Sequence, residues 1–269
     1  MITMSEPKEG FLKSGGYRVH YLLWGGTGPK LVFIHSMGMD AHGFEAIYNA
    51  LNGEYQMLGL TILDHGDSDI PKPSLTLPDH AEIMRDCYRQ LAFEPIILIG
   101  HSVGGMMGIT LAAEHPNELK GLVLVDIAPR IEKRKYSSAP PPKLFESKEQ
   151  ARDYFKEKYS GFTEDAVENR IKHGLKEDNE GKLTLKSTPN IMRPSLSLDL
   201  WPFAKRIETA TLMVLGGKSA VVTLAAQERM REVISGIEIV TVKEATHMVP
   251  QDNPIEFERH LRRFLERIA

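Results

Sequence analysis

The chain has 269 residues, with 33 lysines and arginines against 36 aspartates and glutamates and a formal charge of −3. That length suits one large α/β domain, and the charge balance lacks the basic footprint of a nucleic-acid binder. The single cysteine, Cys87, excludes an internal disulfide, no Cys/His cluster has zinc spacing, and no apolar run approaches the ~18 residues of a membrane span.

In chain order, the polar start from Met1 to Gly10 has no apolar secretory segment, so a cytoplasmic location is expected. Residues 10–14 and 17–24, joined by Gly15 and Gly16, read as an antiparallel hairpin. Short runs rich in Val, Ile and Leu follow at 31–34, 56–62, 95–99, 122–125, 211–215 and 238–242. They lack strict alternation, as strands do when both faces of a parallel sheet are covered. Residues 41–51, 77–91, 103–114, 224–234 and 255–268 carry apolar side chains at three- and four-residue spacing and predict helices. Alternating strand and helix implies a mostly parallel sheet of about eight strands with helices on both faces.

The alternation stops near Asp126 and resumes near Thr211. Between them lie Ala139-Pro140-Pro141-Pro142, charged helical stretches at 147–159 and 163–175, and a turn at 178–181. Residues 127–206 are therefore expected to form a helical cap or lid inserted into a core of residues 1–126 and 207–269. Basic clusters at 130–135 and 259–267 are interrupted by acids and read as solvated faces.

The strongest chemical signal is Gly100-His101-Ser102-Val103-Gly104-Gly105, which follows an apolar strand and opens a helix. Gly-x-Ser-x-Gly in that setting makes a tight turn that lifts the serine above the carboxyl edge of the sheet. The glycines leave room for the crossing backbone. The N–H of Val103, at the helix start, is placed to stabilise an oxyanion. The plainer alternative, a Gly-rich turn with an N-capping serine, accounts less well for the flanking strand and helix.

With this motif the chain resembles the α/β-hydrolase superfamily over nearly all of its length. Residues 31–38, Leu-Val-Phe-Ile-His-Ser-Met-Gly, are similar to the family's strand and His-Gly-x-Gly loop, with Ser36 replacing the usual glycine. The resemblance implies that the Met37 N–H is the second oxyanion donor. It implies that His35 shapes the loop, with contact to substrate as its lesser alternative. Residues 63–69, Leu-Asp-His-Gly-Asp-Ser-Asp, resemble the Asp-x-Arg-Gly-x-Gly-x-Ser segment that folds the core together, with Thr61, Leu63 and Asp64 where Asp, Arg and Gly are usual. His247, in Glu244-Ala245-Thr246-His247-Met248-Val249-Pro250 between the last strand and last helix, stands where the family has its general base.

In this fold the triad acid lies between serine and histidine in the chain, most often in the loop after the seventh strand. That loop, Gly216 to Thr223, has no carboxylate, and the next acid, Glu228, lies inside a predicted helix. A carboxylate is still needed to hold the imidazole in one tautomer. Some members, including many haloalkane dehalogenases and certain ring-cleavage or lactone-type hydrolases, carry it after the sixth strand. The resemblance thus implies Asp126, directly after 122–125. A structural role for this Asp, followed by Ile127-Ala128-Pro129, is the alternative. Cys87 is expected to be inert, and Asp67 and Asp69 to cap a turn.

The resemblance implies a serine hydrolase cleaving a small or medium carboxylic ester or lactone through an acyl-enzyme on Ser102. Phe145, Ile191, Met192, Trp201 and Phe203 are expected to shape an apolar pocket near His35 and Ser36, and Arg130 or Arg193 to pair with a substrate carboxylate. Rivals on the same framework are a carbon–carbon bond hydrolase, a lyase, a cofactor-free dioxygenase, an acyltransferase and a non-enzymatic ligand receptor. A dehalogenase would need Asp where Ser102 stands. No cofactor or metal is expected, nor a nucleic-acid or membrane partner. Monomer and homodimer both remain open.

Overall fold

The computed structural model describes residues 6–130, 144–187 and 198–268. Strands β1 (Lys8–Ser14) and β2 (Tyr17–Trp24) form the expected hairpin, turning at Gly15 and Gly16, both at positive φ. There follow β3 (Lys30–Ile34), α1 (Glu45–Leu51), β4 (Gln56–Leu60), α2 (Leu77–Gln90), β5 (Ile96–His101), α3 (Val103–Glu114) and β6 (Leu119–Val125). The inserted range holds α4 (Lys148–Lys158), α5 (Glu164–Gly174), β7 (Leu175–Glu177), β8 (Leu183–Leu185) and α6 (Trp201–Ala204). The chain then completes the sheet with β9 (Thr211–Gly216), α7 (Leu224–Val233), β10 (Glu238–Val242), α8 (Val249–Asp252) and α9 (Pro254–Ile268). No helix among the described residues is long and apolar enough to cross a membrane.

The main sheet has eight strands in the order β1-β2-β4-β3-β5-β6-β9-β10. Only β2 runs against the others: it pairs antiparallel with β1 on one side and with β4 on the other, and β4, β3, β5, β6, β9 and β10 pair in parallel. Alternate side chains along each strand feed opposite faces. Val32 and Ile34 join α2 and α3 in one core, while Leu31 and Phe33 join α1 and α9 in the other. This double burial explains why the strands read as unbroken apolar runs. α3 is buried along nearly its whole length, from Val103 to Ala113, whereas α9 buries only the stripe Phe257, Leu261, Phe264 and Leu265. α2 starts at a capping box between Thr76 and Asp79, with Pro78 in its first turn. Cys87 lies fully buried on its inner face.

The segment between β6 and β9 has its own small core of Phe145, Ala151, Phe155, Val167, Ile171, Leu175 and Leu183. Its hairpin β7–β8 is tied in by paired backbone bonds between Phe145 and Leu183. α6 behaves differently from the rest of the insertion: Leu200, Trp201 and Ala204 are buried in the main core that α3 also enters.

Candidate active site

β5 ends at His101 and α3 starts at Val103, so Ser102 alone makes the turn, at φ 53° and ψ −115°. A non-glycine residue in such a conformation is strained and needs its surroundings to hold it. The Ser102 N–H donates to Val125 O at 3.0 Å, tying the turn to β6, and the Met106 N–H donates to Ser102 O at 3.0 Å. The turn also needs bare backbone. A Cβ on Gly104 would lie 2.2 Å from Ile34 O, and one on Gly100 would lie 2.5 Å from Gly104 O.

One rung away, Asp126 follows β6, also at positive φ (47°), with its N–H donating to Val214 O at 2.8 Å. The strand end aims its buried carboxylate towards the loop after β10. His247 Nδ1 lies 2.7 Å from Asp126 Oδ2, and His247 Nε2 lies 3.0 Å from Ser102 Oγ. The structure thus brings Ser102, His247 and Asp126 into one hydrogen-bonded chain. Two donors from the end of β9 and the loop that follows complete the carboxylate: Ser219 Oγ–H to Oδ2 at 2.5 Å and Gly216 N–H to Oδ1 at 3.1 Å. The loop that lacks an acid supplies a hydroxyl and an amide to the acid next door. The other nearby carboxylates are engaged elsewhere. Glu244 pairs with Lys218 at 2.7 Å, and Asp252 accepts from the N–H and O–H of Thr246 at 2.6 Å each.

Two buried histidines shape the surroundings. His101 Nε2 lies 2.8 Å from the backbone carbonyl of His247, so it must carry the proton there and holds that loop. Burial pushes its pKa down to about 3, helped by the neighbouring His247. His35 accepts from the Ile62 N–H at Nε2 (2.9 Å) and donates from Nδ1 to Ser36 O (2.8 Å). Burial pushes it down to about 4. With both ring nitrogens occupied by backbone, His35 shapes the loop after β3.

Ser36 is buried, its hydroxyl 4.0 Å from Met248 Sδ. Met37 is half-buried beside the α2–α3 core, and Gly38 turns the chain at φ 81°. Val103 is the first residue of α3, where a helix leaves its N–H groups unpaired. Thr61, His20 and Ser68 knit the 61–68 segment to β2: His20 Nδ1 lies 2.9 Å from Thr61 Oγ1, and the His20 N–H donates to Ser68 Oγ. Asp69 accepts from the Arg18 N–H at 2.8 Å, and Asp67 pairs with Lys186 at 2.7 Å.

The expected pocket residues scatter. Phe145 is enclosed by Tyr154 and Phe155 in the small core between β6 and β9, so it packs that core instead of lining a cleft. Trp201 is buried in the main core with the Arg229 guanidinium 4.0 Å above its ring. Phe203 is half-buried under Arg206. Arg130 is exposed and lies 3.8 Å from Asp199. Ile191, Met192 and Arg193 lie outside the described residues. Among the described residues, no cluster of His, Cys, Asp or Glu has a geometry to hold a metal ion.

A serine hydroxyl, an imidazole and a buried carboxylate in this order can activate the serine as a nucleophile. Over 236 residues the chain is 26% identical to 2-(acetamidomethylene)succinate hydrolase of Mesorhizobium japonicum, covering 85% of each chain. The crystal structure of E-2-(acetamidomethylene)succinate hydrolase is similar at TM-score 0.88 and 24% identity, over 97% of this chain and 99% of that one. An esterase of Mycobacterium tuberculosis is similar at TM-score 0.80 and 22% identity, over 97% of this chain and 92% of that one. Residues 29–232 match the family model of the alpha/beta hydrolase fold, and the chain belongs to the α/β-hydrolase family.

Proposed function

We propose that the chain is a serine hydrolase that cleaves a small or medium carboxylic ester or lactone through an acyl-enzyme on Ser102. The observation that carries this reading is the unbroken contact from Ser102 Oγ through His247 to Asp126. Ser102 Oγ attacks the acyl carbon while His247 Nε2 takes its proton. Asp126 stabilises the imidazolium, and the N–H groups of Met37 and Val103 receive the developing oxyanion. His247 then returns the proton to the leaving oxygen. Water, deprotonated by His247, attacks the acyl group and frees Ser102 with release of the acid.

A second reading keeps the same serine and changes the leaving atom. The relative from Mesorhizobium japonicum is named for an acetamido-bearing succinate and matches 85% of this chain. That similarity supports an N-acyl substrate, in which His247 protonates a departing nitrogen.

A fluorophosphonate probe, followed by nitrophenyl esters, lactones and an acetamidomethylene acid, tests both readings. Wild-type protein should be labelled at Ser102, and Ser102→Ala should lose labelling and turnover while staying folded. Turnover of the acetamido compound without ester or lactone cleavage favours the second reading. A folded wild type that resists the probe removes the acyl-enzyme altogether.

A further inference from the structure

The loop after β3 that bears Met37 is held from outside the main sheet. Arg170, on cap helix α5, is 3% exposed and reaches across to this loop. Its Nη1 lies 3.2 Å from Asp40 Oδ2, and its Nη2 donates to Gly38 O. The two arms of one guanidinium therefore bracket the turn at Gly38, the residue next to Met37. Asp40 is also engaged on its other side, where its Oδ1 accepts the His42 N–H at 3.0 Å and caps the short turn Ala41–Phe44. His42 in turn stacks on His173 of α5, with ring centroids 3.6 Å apart and planes 11° from parallel. Burial would raise the Asp40 carboxyl, but the His42 bond and Arg170 outweigh it and hold it well below the usual carboxylate range.

The local sequence makes such a hold necessary. Gly38 sits at φ 81°, and a residue without Cβ has a wider range of torsions open to it than any other. The turn is closed within the loop by the Met39 N–H donating to Ser36 O at 3.1 Å, so the direction of the neighbouring Met37 N–H depends on that bond and on what fixes the loop on its far side. A planar fork with fixed donor geometry suits that task better than a flexible ammonium. Room for the fork comes from Gly174, where a Cβ would lie 2.2 Å from Arg170 Nη1.

We propose that Arg170 is a positioning residue for the oxyanion pocket, so that docking of the cap through α5 sets the Met37 N–H in its working direction. The inference rests on the acyl-enzyme reading above, and its test separates the two. The probe is a small dialkyl fluorophosphate, whose reaction with Ser102 needs the oxyanion donors and little of a substrate pocket.

In Arg170→Ala the rate constant of phosphorylation and kcat should both fall about 10–100-fold, less than the 10²–10³ seen for outright loss of an oxyanion donor. KM should stay within a few-fold. Arg170→Lys, which keeps the charge without the fork, should stay close to the alanine variant, and added millimolar guanidinium should restore part of the alanine variant's rate. Should Arg170→Ala fail to fold, Arg170→Lys carries the same test with the loss given above, and the near-isosteric Asp40→Asn carries it with a smaller loss of kcat, both at unchanged KM. Equal phosphorylation rates in wild type and folded variants, with only thermal stability reduced, would make Arg170 a cap fastener and overturn the proposal. A raised KM with unchanged kcat would make it a substrate contact and overturn it equally. If the wild type is not phosphorylated at all, the acyl-enzyme reading fails first.

Discussion

An asparagine at position 126 would keep the shape of the aspartate but not its role. The Gly216 N–H can only donate and keeps the amide oxygen on its side, so the NH2 takes the place of Oδ2 and faces both the Ser219 hydroxyl and His247 Nδ1. The imidazole would then carry its proton on Nε2, facing Ser102, in the wrong tautomer for a base. Asp126→Asn should therefore lower kcat by about 10⁴, as an equivalent change does in a serine protease, with circular dichroism and KM little altered. A loss under tenfold in a folded variant would return Asp126 to a structural role. Asp126 was legible in the sequence because the loop at 216–223 was empty of acids. Ser219 and His101 were not, because a hydroxyl or imidazole acting on a partner 93 or 146 residues away leaves no spacing to read. Arg170 was invisible for the same reason: its charge looks like a solvated face until α5 is laid across the Gly38 turn.

At the scale of elements, legibility followed burial. Strands covered on both sides and helices with a long apolar stripe announce themselves by composition and period. The hairpin β7–β8 has only three residues in each strand, and its pairing comes from Phe145 and the cap core, which no local pattern encodes. α6 was assigned to the insertion by its place in the chain, yet it serves the main core because Trp201 and Ala204 find α3. The junction between β5 and α3 is an unforgiving element. A Cβ on Gly104 would meet backbone oxygens of Ile34 and His35, which have no rotamer with which to yield. Gly104→Ala should lower the thermal midpoint by roughly 3–10 °C and slow labelling of Ser102 with it, because β3 and its loop must move. Calorimetry and a fluorophosphonate time course read the two effects, and an unchanged midpoint would contradict the close approach described here.

For the molecule as a whole, the buried imidazoles set the response to acid. His35, His65, His80 and His101 are almost wholly inaccessible, and burial pushes them down to about 4, 3, 4 and 3. Below the unfolded value near 6.5 the unfolded chain binds protons that the folded chain refuses. The stability these groups contribute is thus present above pH 6.5 and lost as the pH falls towards 3–4. Each histidine that titrates only in the unfolded state steepens the loss by about 1.4 kcal/mol per pH unit. The urea midpoint should therefore drop sharply between pH 7 and pH 5, and equal midpoints at those two values would rule this account out.

The single thiol offers a way to watch such openings. Cys87 is fully buried on the inner face of α2, and burial pushes its pKa up to about 12. A disulfide-exchange dye meets it neither accessible nor ionised while α2 is seated, since only the exposed thiolate attacks. Each dye molecule that reacts therefore marks one departure of α2 from the sheet, in a chain with no second cysteine to confuse the count. The colour change becomes a clock for breathing of the core, and it runs without touching Ser102.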